Sequence, residues 1–299
     1  MATRIPLPVL TPGASTVPHA PFVRLASLWI QITGTLCNLE CVHCINASGP
    51  TDPWLKPLSR DAVLRAIDEA ADLGVKEIYF TGGEPFLHPE LLSLLSASLA
   101  AAPTTVLTNG TVMTDRIADA LRALAEAARY SLEIRVSLDD PDPALNDKIR
   151  GRSAWRRAVR ALRLLNERGL LPIVTATEIL EGERPSGEGM YQRFRQFLLG
   201  LGIEKPRVKI IPVFPVGRLT DPAGPVLDDA AIEGFDLGLL QCAETRAVAD
   251  GGVYACPILA GLPGARLSDG GLAESFRPVP LYHAGCVTCH RTGMTCKNY

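Results

Sequence analysis

A chain of 299 residues is long enough for about two domains or one large barrel, and for a substantial buried core. Its net charge of −2 and pI near 6.2 give no basic footprint for nucleic acid and no polybasic patch for a membrane surface. No apolar run reaches the ~18 residues of a membrane span. The opening stretch "MATRIPLPVLTPGASTVPHAPF" is proline-rich and lacks the continuous apolar run of an export signal. The expectation is a cytoplasmic protein, in which eight cysteines argue for metal or redox chemistry over disulfides.

In chain order, residues 1–27 read as an extension. β-like runs then alternate with helical ones. The strands are expected at 28–34, 77–82, 104–109, 132–138, 172–179 and 207–213. Helical patterns lie near 59–73, 89–101, 114–128, 153–168 and 190–200. The serine-dotted run 91–102 is the most apolar and reads as a packed helix. Strand–helix repetition implies parallel βαβ units with right-handed crossovers. The expected fold is α/β, a partial (β/α)6 parallel barrel over 28–215, since six strands are too few for an eight-stranded closure. Residues 216–241 then read as a Pro/Gly-rich linker with a short helix near 228–241. Residues 242–299 hold five cysteines and little periodicity, as expected of a small Fe–S-bearing appendage stapled by its metal.

The stretch "CNLECVHC" places Cys37, Cys41 and Cys44 in the loop after the first strand. Active sites of parallel barrels collect at that strand end. Structural zinc wants four ligands, usually as two close pairs. Three thiolates suit a [4Fe–4S] cluster that keeps one iron open. After the second strand comes "GGEP", with Gly82, Gly83, Glu84 and Pro85. The glycines permit close backbone approach by a ligand, and Glu84 offers an anion to an ammonium group.

Together, C-x3-C-x2-C after strand one and GGEP after strand two resemble the radical S-adenosylmethionine (radical SAM) superfamily, over roughly residues 28–215. The resemblance implies a [4Fe–4S] cluster on Cys37, Cys41 and Cys44, with S-adenosyl-L-methionine chelating the open iron. It implies reductive cleavage to a 5′-deoxyadenosyl radical that takes a hydrogen atom from substrate. GGEP would receive the methionine ammonium. His43 holds a position where the family more often has an aromatic ring near adenine. On strand four, alternation turns Glu133, Arg135, Ser137 and Asp139 to one face, expected to look into the barrel. Ser137 and Asp139 resemble the ribose-contacting pair, though Asp139 equally suits a cap of the next segment. Arg150, in "KIRG", resembles a residue near the cofactor carboxylate or is a solvated helix-end charge. Asn109, in "TNG", ends strand three near the mouth or forms a plain turn. Glu178 on strand five faces the barrel or an outer salt bridge.

The C-terminal cysteines are Cys242, Cys256, Cys286, Cys289 and Cys296. "GGVYACP" followed by C-x2-C-x6-C resembles a shortened auxiliary-cluster module (twitch or SPASM-like), with a zinc ribbon as the plainer alternative. A fully ligated second [4Fe–4S] cluster takes four thiolates and leaves one over. One assignment uses Cys256, Cys286, Cys289 and Cys296 and frees Cys242. The other uses Cys242 in place of Cys296. A free Cys242 facing the barrel would donate a hydrogen atom to a substrate radical and invert a stereocentre. The expected function is accordingly a radical SAM epimerase of a small sugar-like substrate, similar to enzymes of aminoglycoside biosynthesis. The alternatives are a dehydrogenase of an amino sugar or aminocyclitol and a modifier of a ribosomal peptide. The expected partners are the small-molecule substrate and an electron donor such as flavodoxin or ferredoxin, with no nucleic acid and no membrane.

Overall fold

The computed structural model describes residues 17–178, 187–222 and 224–293. The chain begins with a two-residue strand β1 (His19–Ala20), then β2 (Ser27–Gln31), α1 (Arg60–Asp72), β3 (Glu77–Thr81), α2 (Leu91–Ala101) and β4 (Thr104–Thr108). It continues through α3 (Asp115–Ala127), β5 (Leu132–Ser137), α4 (Pro143–Arg150), α5 (Ala154–Glu167), β6 (Ile173–Glu178), α6 (Gly187–Gly200) and β7 (Val208–Pro212). Beyond these come β8 (Thr245–Ala249), β9 (Gly252–Tyr254), β10 (Arg266–Ser268), β11 (Val279–Pro280) and α7 (Ala284–Thr292). All six expected strands form, and β2 to β7 run parallel in sequence order. The sheet has nine strands in the order β10-β9-β8-β2-β3-β4-β5-β6-β7, so β10 and β7 are its two edges.

Helix starts follow local chemistry. Ser59, Thr114 and Asp142 each accept a hydrogen bond from a first-turn N–H of α1, α3 and α4. One face of each strand packs under the helices: Leu28, Ile30, Ile78, Phe80, Val106, Ile134, Val136, Val174 and Ala176 share one core with α1, α2, α3, α5 and α6. The opposite face looks inward. It carries Trp29 stacked on Tyr79 at 4.2 Å, and the buried side chains Gln31, Arg135 and Thr175. The polar face expected of β5 is therefore the inner one. Glu178 shares strand parity with Val174 and Ala176, which turns it outward and away from the interior.

Two elements differ from expectation. No α-helix spans 228–241; turns there lead to short 3-10 helices at Leu237–Leu239 and Gln241–Ala243. Gly234 takes φ 74°, and the Asp236 carboxylate accepts the Gly238 N–H, closing a turn where a helix would need an open chain. The unexpected α4 is started by Asp142 and by Pro143 in its first turn.

Residues 242–293 are joined to the barrel by backbone pairing. β8 pairs in parallel with β2, and β9 and β10 follow antiparallel. Ser27 and Thr245 hydroxyls meet at 2.6 Å in that seam. β1 pairs with β11, tying residues 19–20 to the same region. On the inner face of β2, Gln31 Nε2 donates to Pro257 O at 3.1 Å. The turn after Cys256 is thereby held against the barrel interior. Among the described residues no helix is long and apolar enough to cross a membrane.

Candidate functional site

The loop after β2 is closed on itself. Cys37 N donates to Gly49 O at 2.9 Å and Gly49 N to Thr35 O at 3.1 Å. Cys37, Cys41 and Cys44 then cluster with Leu39 and Ala154. N–H groups are aimed at two of the sulfurs: Leu39 N lies 3.4 Å from Cys37 Sγ, and Ser48 N lies 3.3 Å from Cys44 Sγ. Burial pushes the Cys37 thiol up to about 12 and raises Cys41 as well. Such thiols hold their protons at neutral pH until a metal centre replaces them. Three thiols of one loop, two of them faced by N–H donors, are a donor set whose chemistry fits an iron–sulfur cluster.

The GGEP turn leans directly on this loop. Gly82 has φ 135°, and a Cβ at Gly83 would lie 2.0 Å from Leu36 O, so only glycine permits the contact. Glu84 is sealed inside (0 % exposed). Its carboxylate accepts from Thr108 Oγ1 at 2.7 Å, Asn109 N at 2.7 Å and Phe86 N at 3.1 Å. Burial raises its pKa, those donors lower it, and the balance lies at about 7. Glu84, which the sequence offers to a ligand ammonium, is buried here and ties the exit of β3 to that of β4 through these three hydrogen bonds. Pro85, also buried, starts the 3-10 turn behind it.

Asn109 is placed beside the first cysteine. Its Nδ2 donates to Asn38 Oδ1 at 3.0 Å and approaches Cys37 Sγ at 3.6 Å. The plain-turn reading of "TNG" therefore leaves out its main contact.

His43, Asp139 and Arg150, considered singly from sequence, form one buried network. Asp139 Oδ2 shares a hydrogen bond with His43 Nε2 at 2.6 Å and forms an ion pair with Arg150, Nε lying 2.7 Å away. Asp139 Oδ1 accepts from Arg150 Nη2 at 3.0 Å and Thr177 N at 2.8 Å. Burial opposes ionisation of Asp139, but the Arg150 and His43 charges and hydrogen bonds overcome it and hold its carboxyl well below the usual range. Arg150 is 7 % exposed, which excludes the solvated helix-end reading, and Asp139 braces β6 through the Thr177 N–H. Ser137 remains half-buried on the inner face, level with Thr175.

Sequence reasoning missed Arg218. It donates to Cys41 O at 3.0 Å and Ser48 O at 2.6 Å, while its own N–H reaches Cys44 O. An arginine in a Pro/Gly-rich stretch carries no signal of that role. Asn38 and Thr177 were missed because their partners are distant in sequence.

A second site lies under β8 and α7. A small cavity of about 30 Å³ is lined by Cys242, Cys256, Cys286 and Cys289, with Leu240, Ile258, Leu259, Val279 and Leu281 as apolar walls and Gln241 beside them. Cys286 and Cys289 sit one turn apart on α7, so one helix face presents both. Burial pushes the Cys242 thiol up to about 12 and raises Cys256 and Cys286. Cys242, expected either as the spare thiol or as a ligand in place of Cys296, lies in a 3-10 turn on the wall of the same cavity as Cys256, Cys286 and Cys289. Cys296 lies outside the described residues. Four thiols among mainly apolar walls fit an iron–sulfur cluster.

Residues 32–185 match the family profile described as the radical SAM superfamily. The chain belongs to that superfamily. Radical SAM enzymes use S-adenosylmethionine and a [4Fe–4S] cluster, and need a reductant. The mycofactocin maturase MftC of Mycolicibacterium smegmatis is 29% identical over 85% of this chain and 72% of its own length. The GTP 3′,8-cyclase of Microcystis aeruginosa is 30% identical over 61% of this chain and 54% of its own. The chain spans between 32% and 72% of the length of such curated relatives. In fold it is similar to Streptococcus suis SuiB bound to precursor peptide SuiA, with TM-score 0.63 and 17% identity over 87% of this chain and 66% of SuiB. It is also similar to anSMEcpe with bound AdoMet, with TM-score 0.63 and 17% identity over 85% and 80%.

Proposed function

We propose that the chain is a radical SAM enzyme that carries out a net oxidation on a peptide. On this reading Cys37, Cys41 and Cys44 hold the S-adenosylmethionine-binding [4Fe–4S] cluster, and Cys242, Cys256, Cys286 and Cys289 hold a second one. When bound, the first cluster and S-adenosylmethionine supply a hydrogen-abstracting radical. The chain's own residues shape the surroundings. Gly82 and Gly83 keep the exit of β3 close to the cysteine loop, Asn109 directs an N–H at Cys37, and His43, Asp139 and Arg150 fix the far side. A flavodoxin or ferredoxin is the expected electron donor.

The observation that carries the reaction class is the four-thiol cavity. With Cys242 a ligand, it no longer serves as a free hydrogen donor, which removes the main ground for redox-neutral epimerisation. A closed, four-thiolate cluster instead suits electron acceptance. The peptide substrate rests on likeness to a maturase over most of this chain, alongside the fold shared with SuiB.

Anaerobic reconstitution with iron counting, then product mass analysis in deuterated water, tests this. Iron for two clusters and a peptide product lacking two hydrogens are expected. A product of unchanged composition with one deuterium gained at carbon would restore the epimerase reading.

A further inference from the structure

Arg246, the second residue of β8, is the bulkiest side chain fully buried among the described residues, at 0 % exposed. Its donors all meet neutral acceptors. Nε donates to Ser275 O at 3.0 Å, Nη1 to Cys242 O at 2.8 Å and Thr245 O at 2.7 Å, and Nη2 to Arg277 O at 3.0 Å. The guanidinium lies over the Phe22 ring at 4.1 Å. The other two arginines buried in the fold, Arg135 and Arg150, each have a carboxylate, Glu133 and Asp139. Arg246 has none among the described residues, and Glu244 nearby is engaged by Arg24 at 2.8 Å.

A buried cation without a counter-charge is among the most costly features a fold can carry. Carbonyl dipoles and a ring face relieve only part of that cost. The groups able to carry negative charge toward Arg246 are the thiols of Cys242 and Cys256, on the wall of the four-thiol cavity. Cys242 belongs both to that wall and to the set of carbonyls that hold the guanidinium. A four-iron core bound by four thiolates is anionic when oxidised and more so after gaining one electron.

We propose that Arg246 is the counter-charge of a four-thiolate cluster in this cavity and holds its reduction potential up. The inference rests on the assignment of that cluster in the preceding section. The couple concerned is a one-electron reduction, in which no proton moves and no bond breaks. The added negative charge is what a fixed neighbouring cation favours. Arg246 is thus a positioning and tuning residue. The alternative is a pure staple, in which it only ties together the carbonyls of residues 242, 275 and 277.

The test uses full-length protein reconstituted anaerobically with iron and sulfide, as wild type, R246Q and R246K. Potentiometric titration is followed by electron paramagnetic resonance. Added S-adenosylmethionine shifts only the first cluster's signal and so separates the two. R246Q is expected to lower the second cluster's potential by about 59 mV or more, tenfold in the one-electron equilibrium. R246K should shift it by less than half as much, and the first cluster should stay unmoved. An unchanged potential in a fully loaded R246Q overturns the proposal. Loss of the second cluster from R246Q with retention in R246K supports it, since charge alone rescues assembly. Loss from both variants assigns a staple and overturns it. If wild type takes up iron for one cluster only, the cluster assignment itself fails, and the proposal with it, before any variant is compared.

Discussion

The two cysteine sites are built on opposite plans. Around Cys37, Cys41 and Cys44 stand polar groups from four strands: Asn109, Asp139, Thr177, and Glu84 behind them, with His43 and Arg150 laced through. Around Cys242, Cys256, Cys286 and Cys289 stand Leu240, Ile258, Leu259, Val279 and Leu281. Three sulfurs in polar surroundings leave coordination room for a polar ligand that must enter and leave. On the proposed reading, four sulfurs among mainly apolar walls leave none, which suits a centre that passes electrons only. Thiol count and wall polarity differ in the same direction between the two sites.

The sharpest way to break this contrast is to remove one cysteine from each. C41A is expected to abolish deoxyadenosine formation, whereas C242A should keep that reaction and bind only one cluster's iron. Iron analysis and product chromatography read both outcomes, and a C242A protein loaded with two clusters would erase the distinction.

Next in size is the buried ion pair at the first site. D139N leaves Arg150 buried without its charge partner, which costs roughly 3–5 kcal/mol. Thermal or urea unfolding of the metal-free protein should show that loss. Replacing Ser137, on the same strand, should not.

Glu84 gives a pH signature. Its folded pKa of about 7 lies above the ordinary value of 4.5. Burial favours the neutral carboxyl, so its stability contribution is full below 4.5 and is lost as pH rises through 7. Each tenfold difference in proton affinity between the folded and unfolded chain is worth about 1.4 kcal/mol. Relative to E84Q, wild type should therefore lose on the order of 3 kcal/mol across that window. Parallel urea titrations at several pH values would show it. A flat difference would mean the three donors hold Glu84 ionised throughout.

The smallest effect concerns Asn109. Removing its N–H from Cys37 in N109A should cost about 1 kcal/mol. The potential of the first cluster should fall slightly, with no change at the second.

Much of the barrel was legible because each strand's β-branched or aromatic run is bounded by a turn, and each helix shows an apolar stripe. β8 was not legible. "TRAVA" is short and carries an arginine, so nothing in it announces a strand buried beside β2. Arg246 tolerates that place only through carbonyls supplied by residues far along the chain. The cysteine loop and GGEP were readable as motifs, yet Glu84's inward turn was not, since Thr108 and Asn109 approach it from another strand. Likewise His43, Asp139 and Arg150 stand out only singly in the sequence. Their joining depends on α4 bringing Arg150 back over the loop, and α4 itself was missed. The thiol count gave two possible sets of four, and only tertiary placement brings Cys242 to the cavity.

The seam between β2 and β8 also has a consequence for biosynthesis. Ser27 and Thr245 are 218 residues apart. At ~5–20 residues per second, roughly 10–45 s separate their emergence from the ribosome. Throughout that interval β2 offers one unpaired backbone edge, flanked by Leu28 and Ile30, to any passing strand. Nascent chains of this protein should therefore depend on chaperone shielding until residue 249 is clear of the exit tunnel, and truncations before that point should aggregate rather than fold.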